Sequence, residues 1–337
     1  MKKAAIAVAV LSAVVSGSTL AATVYDAEGT SLKVGGRLEF RGDFNGKDDS
    51  KEKEDGKEIE GTMLNKSRVR LNVAGETDIG AGMKGFGFWE AEQKVKSTAG
   101  SKSEKETTFE QRYMYVGMKG DFGSLSFGRQ DTAGVQISNL SDIGTFTGNQ
   151  KAFINAGNEQ INNTIAYGYD FESFKLKASY IADDEKNSDG YAISGIYSTP
   201  VGLDIGLGYA ANDLGTDKGS ADQIIAGLGY TVGDLYFGAT YTTGDKDDKA
   251  DTEFTGIEVS AQYKITKQFR LIAAYQNQEE ETKNVTKDTA DFFELTGRYD
   301  FTKNFRSYLA YKANGLDEKD TGYKVEDTIR LGLRYDF

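Results

Sequence analysis

Eleven arginines are the residues best placed to act together in this chain of 337 residues, because histidine and cysteine are both absent. Without them there can be no Ser-His or Asp-His hydrolytic centre, no imidazole or thiolate metal site and no ordinary near-neutral general base. Carboxylate chemistry, oxygen-ligated cations and the fixed positive field of guanidinium groups remain. Arg37 and Arg41 alternate with Leu38 and Phe40, Arg68 and Arg70 with Val69 and Leu71, and Arg112 stands opposite Tyr113 and Tyr115. Arg270, Arg298, Arg306, Arg330 and Arg334 also oppose apolar neighbours, and between Arg129 and Arg270 there is no arginine at all. Arg129 shares parity with Leu125 and Phe127 and is expected past the apolar part of its strand. No cofactor and no metal site is expected.

The alternation implies strands, since successive side chains of an extended chain point to opposite faces. Alternating segments recur along the chain with connections of two lengths. Seven are tight turns, near Gly80, Gly120, Glu172, Pro200, Gly233, Thr266 and Lys303. Between them lie eight long polar loops, including "NGKDDSKEKEDGKEIEG", "KSTAGSKSEKE", "TGDKDDKADTE", "NQEEETKNVTKDTA" and residues 131–161. Strict alternation of turns and loops delimits sixteen antiparallel strands. Tyr197, Tyr230, Tyr263, Tyr299 and Tyr335 recur beside the short turns, as an aromatic girdle at a lipid–water boundary requires.

The final segment, "TIRLGLRYDF", puts Ile329, Leu331, Leu333, Tyr335 and Phe337 on one face. Left free, it would be an apolar sheet edge. Pairing with the first strand, "SLKVGGRLEFRGDF", would close the sheet and remove that edge. Sixteen strands enclose too wide a space for side chains to fill, so the expected fold is all-β: a transmembrane antiparallel barrel, apolar outside and polar within. The composition of 40 Gly, 19 Tyr, 19 Phe and one Pro suits it. No stretch after the N-terminus is long and apolar enough for a helical span.

The first segment reads as a secretory signal peptide, residues 1–21, with Lys2 and Lys3 before a short apolar run and small residues near Ala21. Residues 22–337 then form a single barrel domain. The net charge of -12 disfavours nucleic acid as a partner.

Barrel closure makes the first five and last four strands neighbours, so the inward arginines form one basic arc. An anionic counterpart across a narrow lumen would create a transverse field. Residues 131–161 are the candidate: rich in Gly, Ser, Thr and Asn, with apolar side chains and only Asp131, Asp142 and Glu159 as acids. Packing inside the barrel would explain that composition.

The segments "SLKVGGR", "SRVRLNVAGET", "RYMYVGMKGDFGSLSFGRQ", "NFRSYLAYKANGLD" and "RLGLRYDF" resemble the Gram-negative general porin family, most of all its vibrio OmpU-type members. The resemblance implies a homotrimer in the cell outer membrane, in contact with lipid and lipopolysaccharide, passing small hydrophilic solutes and ions passively. It also implies an inward-folded third external loop, 131–161, at the constriction. Carried over residue by residue, Arg37, Arg68, Arg70 and Arg112 form the constriction's basic side and Asp142 its acidic side. Arg41, Arg270, Arg298, Arg306, Arg330 and Arg334 are further pore-lining bases. The ending with Tyr335 and Phe337 resembles the signal read by the outer-membrane assembly machinery. The chain departs from enteric members at Gly144-Thr145-Phe146-Thr147-Gly148, which carries no acid.

Other motifs carry little. "GAGMKG" at residues 80–85 sits in a tight turn with no helix to follow, unlike a dinucleotide loop. "RGD" at residues 41–43 ends a strand. "DDEKNSDG" departs from a calcium loop, with Glu185 where Asp is required and Ile196 where the closing Glu should stand. No enzyme is expected. The alternatives to a general channel are a substrate-specific channel, which would call for an aromatic track along the lumen, and an adhesive barrel.

Overall fold

The computed structural model describes residues 21–44, 63–95, 109–322 and 325–337. All but the last residue of the expected signal peptide lies outside them, as do most of the first two external loops. The strands are β1 (Ala22–Ala27), β2 (Thr30–Phe44), β3 (Met63–Asn65), β4 (Arg68–Gly80), β5 (Met83–Lys94), β6 (Glu110–Gly120), β7 (Gly123–Gln130), β8 (Ile161–Asp170) and β9 (Phe174–Ile181). They continue with β10 (Gly190–Ser198), β11 (Leu203–Asp213), β12 (Ser220–Val232), β13 (Leu235–Asp247), β14 (Thr252–Lys264), β15 (Phe269–Thr282), β16 (Val285–Asp300), β17 (Phe305–Asn314) and β18 (Thr328–Asp336). Each long strand pairs antiparallel with the next, and β18 pairs with β2, closing a barrel of sixteen strands. All seven expected tight turns join consecutive strands.

The faces are inverted relative to a barrel with an apolar interior. On β12, Ile224 and Leu228 are exposed on the outside, whereas inward Gln223 is fully buried. Tyr197, Tyr230, Tyr263, Tyr299 and Tyr335 are all exposed beside the short turns.

Two short strands supplement the ring. β3 is a fragment set against the end of β2. β1 pairs with the first residues of β2, Thr30 to Val34, while β18 pairs with β2 from Arg37 onward. Between them, Gly36 N–H donates to the Phe337 carbonyl at 2.9 Å and Phe337 N–H to the Gly36 carbonyl at 3.0 Å. β1 and β18 thus share one side of β2, and β18 is completed by β2.

That seam explains Gly36. A Cβ there would lie 2.8 Å from Phe337 Cζ and collide with the Arg70 carbonyl oxygen. Gly36→Val is expected to cost about 1–3 kcal/mol through overpacking. The folded fraction, read as the heat-modifiable band on a denaturing gel, should fall; an unchanged fraction would show that the seam tolerates a side chain.

Two expected loops are shorter than their sequences suggest. "TGDKDDKADTE" and "NQEEETKNVTKDTA" largely continue the strands: β13 runs to Asp247 and β14 begins at Thr252, and β15 runs to Thr282 and β16 begins at Val285. Here the cross-strand partners are charged or hydroxyl side chains, such as Glu253 opposite Glu281. With water on both faces, the backbone ladder continues without apolar alternation.

Candidate functional site

The inward arginines of β2, β4, β6, β16, β17 and β18 meet around one cavity of about 490 Å³. Arg37, Arg41, Arg68, Arg70, Arg112, Arg298, Arg306 and Arg334 line it on one side, and Asp142, Gly144, Thr147, Lys151 and Glu159 on the other. Arg270 is inward but set apart, 2.6 Å from Asp300. Arg330 donates to Asp43 at 2.7 and 2.8 Å and to the Thr145 carbonyl at 2.8 Å, so it holds a loop rather than bordering the cavity.

Arg112 reaches the cavity by a route that alternation alone does not give. Met114, Val116 and Met118 are exposed on the outer face of β6, whereas Tyr113 is buried. The sequence-based placing of Tyr113 and Tyr115 outside is therefore reversed: Phe86, Phe88, Tyr113 and Tyr115 contact one another as a ring cluster. The register of β5 and β6 slips between Glu90 and Ala91, which pair with Tyr113 and Gln111. Arg112 is the extra residue of that bulge, which re-aims its side chain. Its Nε then lies 2.7 Å from Glu90.

Sequence reasoning missed the acids threaded through the arginines. Glu39 accepts from Arg68 at 2.6 Å, Arg41 at 3.3 Å and the Tyr308 hydroxyl at 2.7 Å. Glu92 pairs with Arg70 and lies 3.6 Å from Arg68. Glu39, Glu90 and Glu92 are buried. Their parity with the arginines was visible in the sequence, since Glu39 sits between Arg37 and Arg41 and Glu90 and Glu92 alternate with Trp89 and Ala91. Arg37 has no ion pair among the described residues, and its buried Nε has no hydrogen-bond partner.

The segment between β7 and β8 lies against the arginine-free part of the wall. Its helix α1 (Val135–Ser138) places Ile137 where Cβ atoms at Gly206 and Gly227 would stand, and the Leu140 carbonyl occupies the corresponding space at Gly238. These inward glycines make the recess that receives the segment. Phe153 stacks on inward Phe254 with ring centres 4.2 Å apart. Backbone polar groups find inward side chains: Ala133 N–H donates to Ser179 at 3.0 Å and Ala156 N–H to Asn212 at 3.0 Å.

Two buried carboxylates hold the tip, residues 141–148. Glu258 accepts from Ser141 Oγ at 2.7 Å and Gly148 N–H at 2.8 Å, and Glu294 from Thr145 N–H at 2.8 Å and Phe146 N–H at 2.9 Å. Arg330 stacks on the Phe146 ring, 3.8 Å from its centre. The acid-free "GTFTG" stretch thus takes its acids from the wall. Asp142, the acid expected to face the arginines, is joined to Lys151 at 3.0 Å, and Lys151 also lies 3.4 Å from Glu159. Lys151 is a base that the sequence reading overlooked.

At the base of this segment Asp131 accepts from the Tyr113 hydroxyl at 2.9 Å and Gln160 N–H at 3.2 Å. Burial, then the neighbouring Glu159 carboxylate, raise its pKa above the ordinary aspartate value. A folded-state pKa above the unfolded one means that Asp131 favours folding most in acid and loses that contribution as pH rises through the raised value. Asp131→Asn is accordingly expected to raise the melting temperature at neutral pH and to change little near pH 3. A melting temperature that falls at neutral pH would count against this.

Arg129 lies at the end of β7, past the apolar Leu125 and Phe127 and next to the start of the long loop, as expected. It donates to the Gln111 carbonyl and to Asn162, both at 3.0 Å.

Solved structures share this architecture. Salmonella typhi OmpF, solved in complex with daunomycin, superposes with a TM-score of 0.79 at 19% identity, covering 94% of this chain and 100% of its own. The trimer form of OmpT from Vibrio cholerae gives 0.68 at 18% identity, covering 92% of this chain and 100% of that one. Outer membrane protein U of Vibrio parahaemolyticus is 33% identical over 280 residues, 79% of this chain and 77% of the relative. A family model described as Gram-negative porin matches residues 5–319. The closed barrel with a polar interior agrees with that match, and the chain belongs to the Gram-negative porin family.

Proposed function

We propose that residues 131–161 form the constriction of a water-filled channel in which the arginines of β2, β4 and β6 face Asp142. Small hydrophilic solutes and ions pass by passive diffusion, without catalysis. The observation that carries this reading is the cavity bordered by arginines on one side and by Asp142, Lys151 and Glu159 on the other. The acids paired with Arg41, Arg68, Arg70 and Arg112 soften the basic side, and Lys151 softens the loop side. The field across the gap is therefore a balance of interleaved charges rather than one wall against another.

The functional unit is a homotrimer in the outer membrane, in contact with lipopolysaccharide. The solved trimer form of OmpT supports that reading. Tyr335 and Phe337, stacked with ring centres 6.1 Å apart at the closing seam, are the residues that the assembly machinery would engage.

Liposome swelling tests the reading. Entry of uncharged sugars should slow smoothly with increasing solute size and show no saturation. Saturable uptake of one solute with exclusion of others of equal size would favour a substrate-specific channel.

A further inference from the structure

Four guanidinium groups and two carboxylates form a chain on the inner face toward the short-turn end of the barrel, with the Arg37 guanidinium on the neighbouring strand. Asp300 accepts from Arg270 at 2.6 Å and Arg298 at 2.9 Å, with Arg306 3.8 Å away. Asp336 accepts from Arg306 at 2.7 Å and from Arg334 at 2.5 Å. Arg37 stands opposite Asp336 in the β2–β18 register and opposite Arg70 in the β2–β4 register, without an ion pair among the described residues.

This group differs from the constriction in its balance. There, Arg41, Arg68, Arg70 and Arg112 share Glu39, Glu90 and Glu92, leaving one excess positive charge. Here four arginines share two aspartates and Arg37 stands beside them unpaired, leaving an excess of three. The Asp336 side chain is 1% exposed whereas that of Arg334 is 23% exposed, so the carboxylate lies behind and the guanidinium faces the lumen. A guanidinium brings about five N–H donors and a carboxylate about four acceptor sites. Most donors in this group therefore lack a protein acceptor.

We infer that this arc is a binding step for phosphate-bearing small anions, inorganic phosphate and phosphate monoesters among them; the inference rests on the channel reading above. Chloride offers a single point of contact and a monocarboxylate can engage one guanidinium fork. A phosphate with two charges and three free oxygens can engage two forks at once, and Arg37 and Arg334, on paired strands beside the cavity, supply them. The site borders the short-turn side of the same cavity, with Arg37 common to it and to the constriction, so it would hold such anions before release at the short-turn mouth.

The test is single-channel recording of the native protein in potassium chloride with added inorganic phosphate, against acetate at equal ionic strength. Phosphate should reduce the current saturably, more strongly from the short-turn side, and acetate should not. Arg37→Gln with Arg334→Gln should raise the half-blocking concentration at least about tenfold. Arg37→Lys with Arg334→Lys keeps the charge without the forks and should fall between, while Lys84→Gln, a charge change elsewhere in the barrel, should leave the block intact. Equal effects of phosphate and acetate, or a block unmoved by the Gln pair, would overturn the inference and leave the channel reading standing. If the protein carries no current, the channel reading fails, and calorimetric titration of phosphate into the detergent-solubilised protein decides the anion site separately. Saturable heat lost in the Gln pair would retain the site, and absence of heat would remove it.

Discussion

Replacing Glu258 and Glu294 together with alanine is expected to release the tip of the loop and turn a quiet channel into a noisy one with larger conductance levels. Four donors of residues 141–148 depend on these two carboxylates. A hydrogen bond to a charged group contributes about 1.5–3 kcal/mol, so each one lost weakens docking of the tip by about tenfold or more. The base of the loop should stay docked, since Ile137 and Leu140 keep their glycine recess and Phe153 its stack on Phe254. Current recordings should therefore show excursions to higher conductance rather than a uniformly widened channel. Traces indistinguishable from the unmodified protein would mean that the carboxylates do not hold the loop.

Replacing Arg70 and Arg112 together with glutamine should shift the reversal potential strongly toward cations. Both arginines are paired with Glu90 or Glu92. Removing them deletes two positive charges and, among the described residues, leaves Glu90 without an ion pair and Glu92 with only Arg68 and Lys94, each at 3.6 Å, so Arg41 and Arg68 face three wall carboxylates and the local balance turns negative. A shift of about 10 mV or more is expected, against the roughly 59 mV limit for a perfectly selective channel in a tenfold gradient of a monovalent salt. Glu90→Gln with Glu92→Gln should move the potential the opposite way. If neither pair moves it, these residues lie off the ion path.

Much of this architecture could be read before any coordinates. Strand number, the seven turns and closure through "RLGLRYDF" followed from period-two alternation, because a lipid-facing surface and a wet interior each impose their chemistry on alternate residues. The same rule failed where geometry breaks the period. One extra residue at Arg112 turns it inward beside Tyr113, and no sequence signal marks that bulge. The strand ends near Asp247 and Thr282 were read as loops because charged side chains on both faces erase the alternation.

The site was less legible than the fold. Glu39, Glu90 and Glu92 share strand parity with the inward arginines or oppose outward Trp89, so alternation marks them as inward too. Gly206, Gly227 and Gly238 carry no sequence mark of their role, because the loop atoms that fill the space of their missing side chains come from Ile137 and Leu140, far away in the chain. The absence of arginine from that wall then has a plain cause: the loop covers it, and Glu258 and Glu294 meet backbone donors there.

The most direct test of the account is recording the purified protein in a planar bilayer under a salt gradient. A trimeric diffusion channel predicts a large conductance, proportional to salt, that closes in three equal steps. A protein that inserts yet stays silent, or passes current only when one particular solute is present, would contradict it.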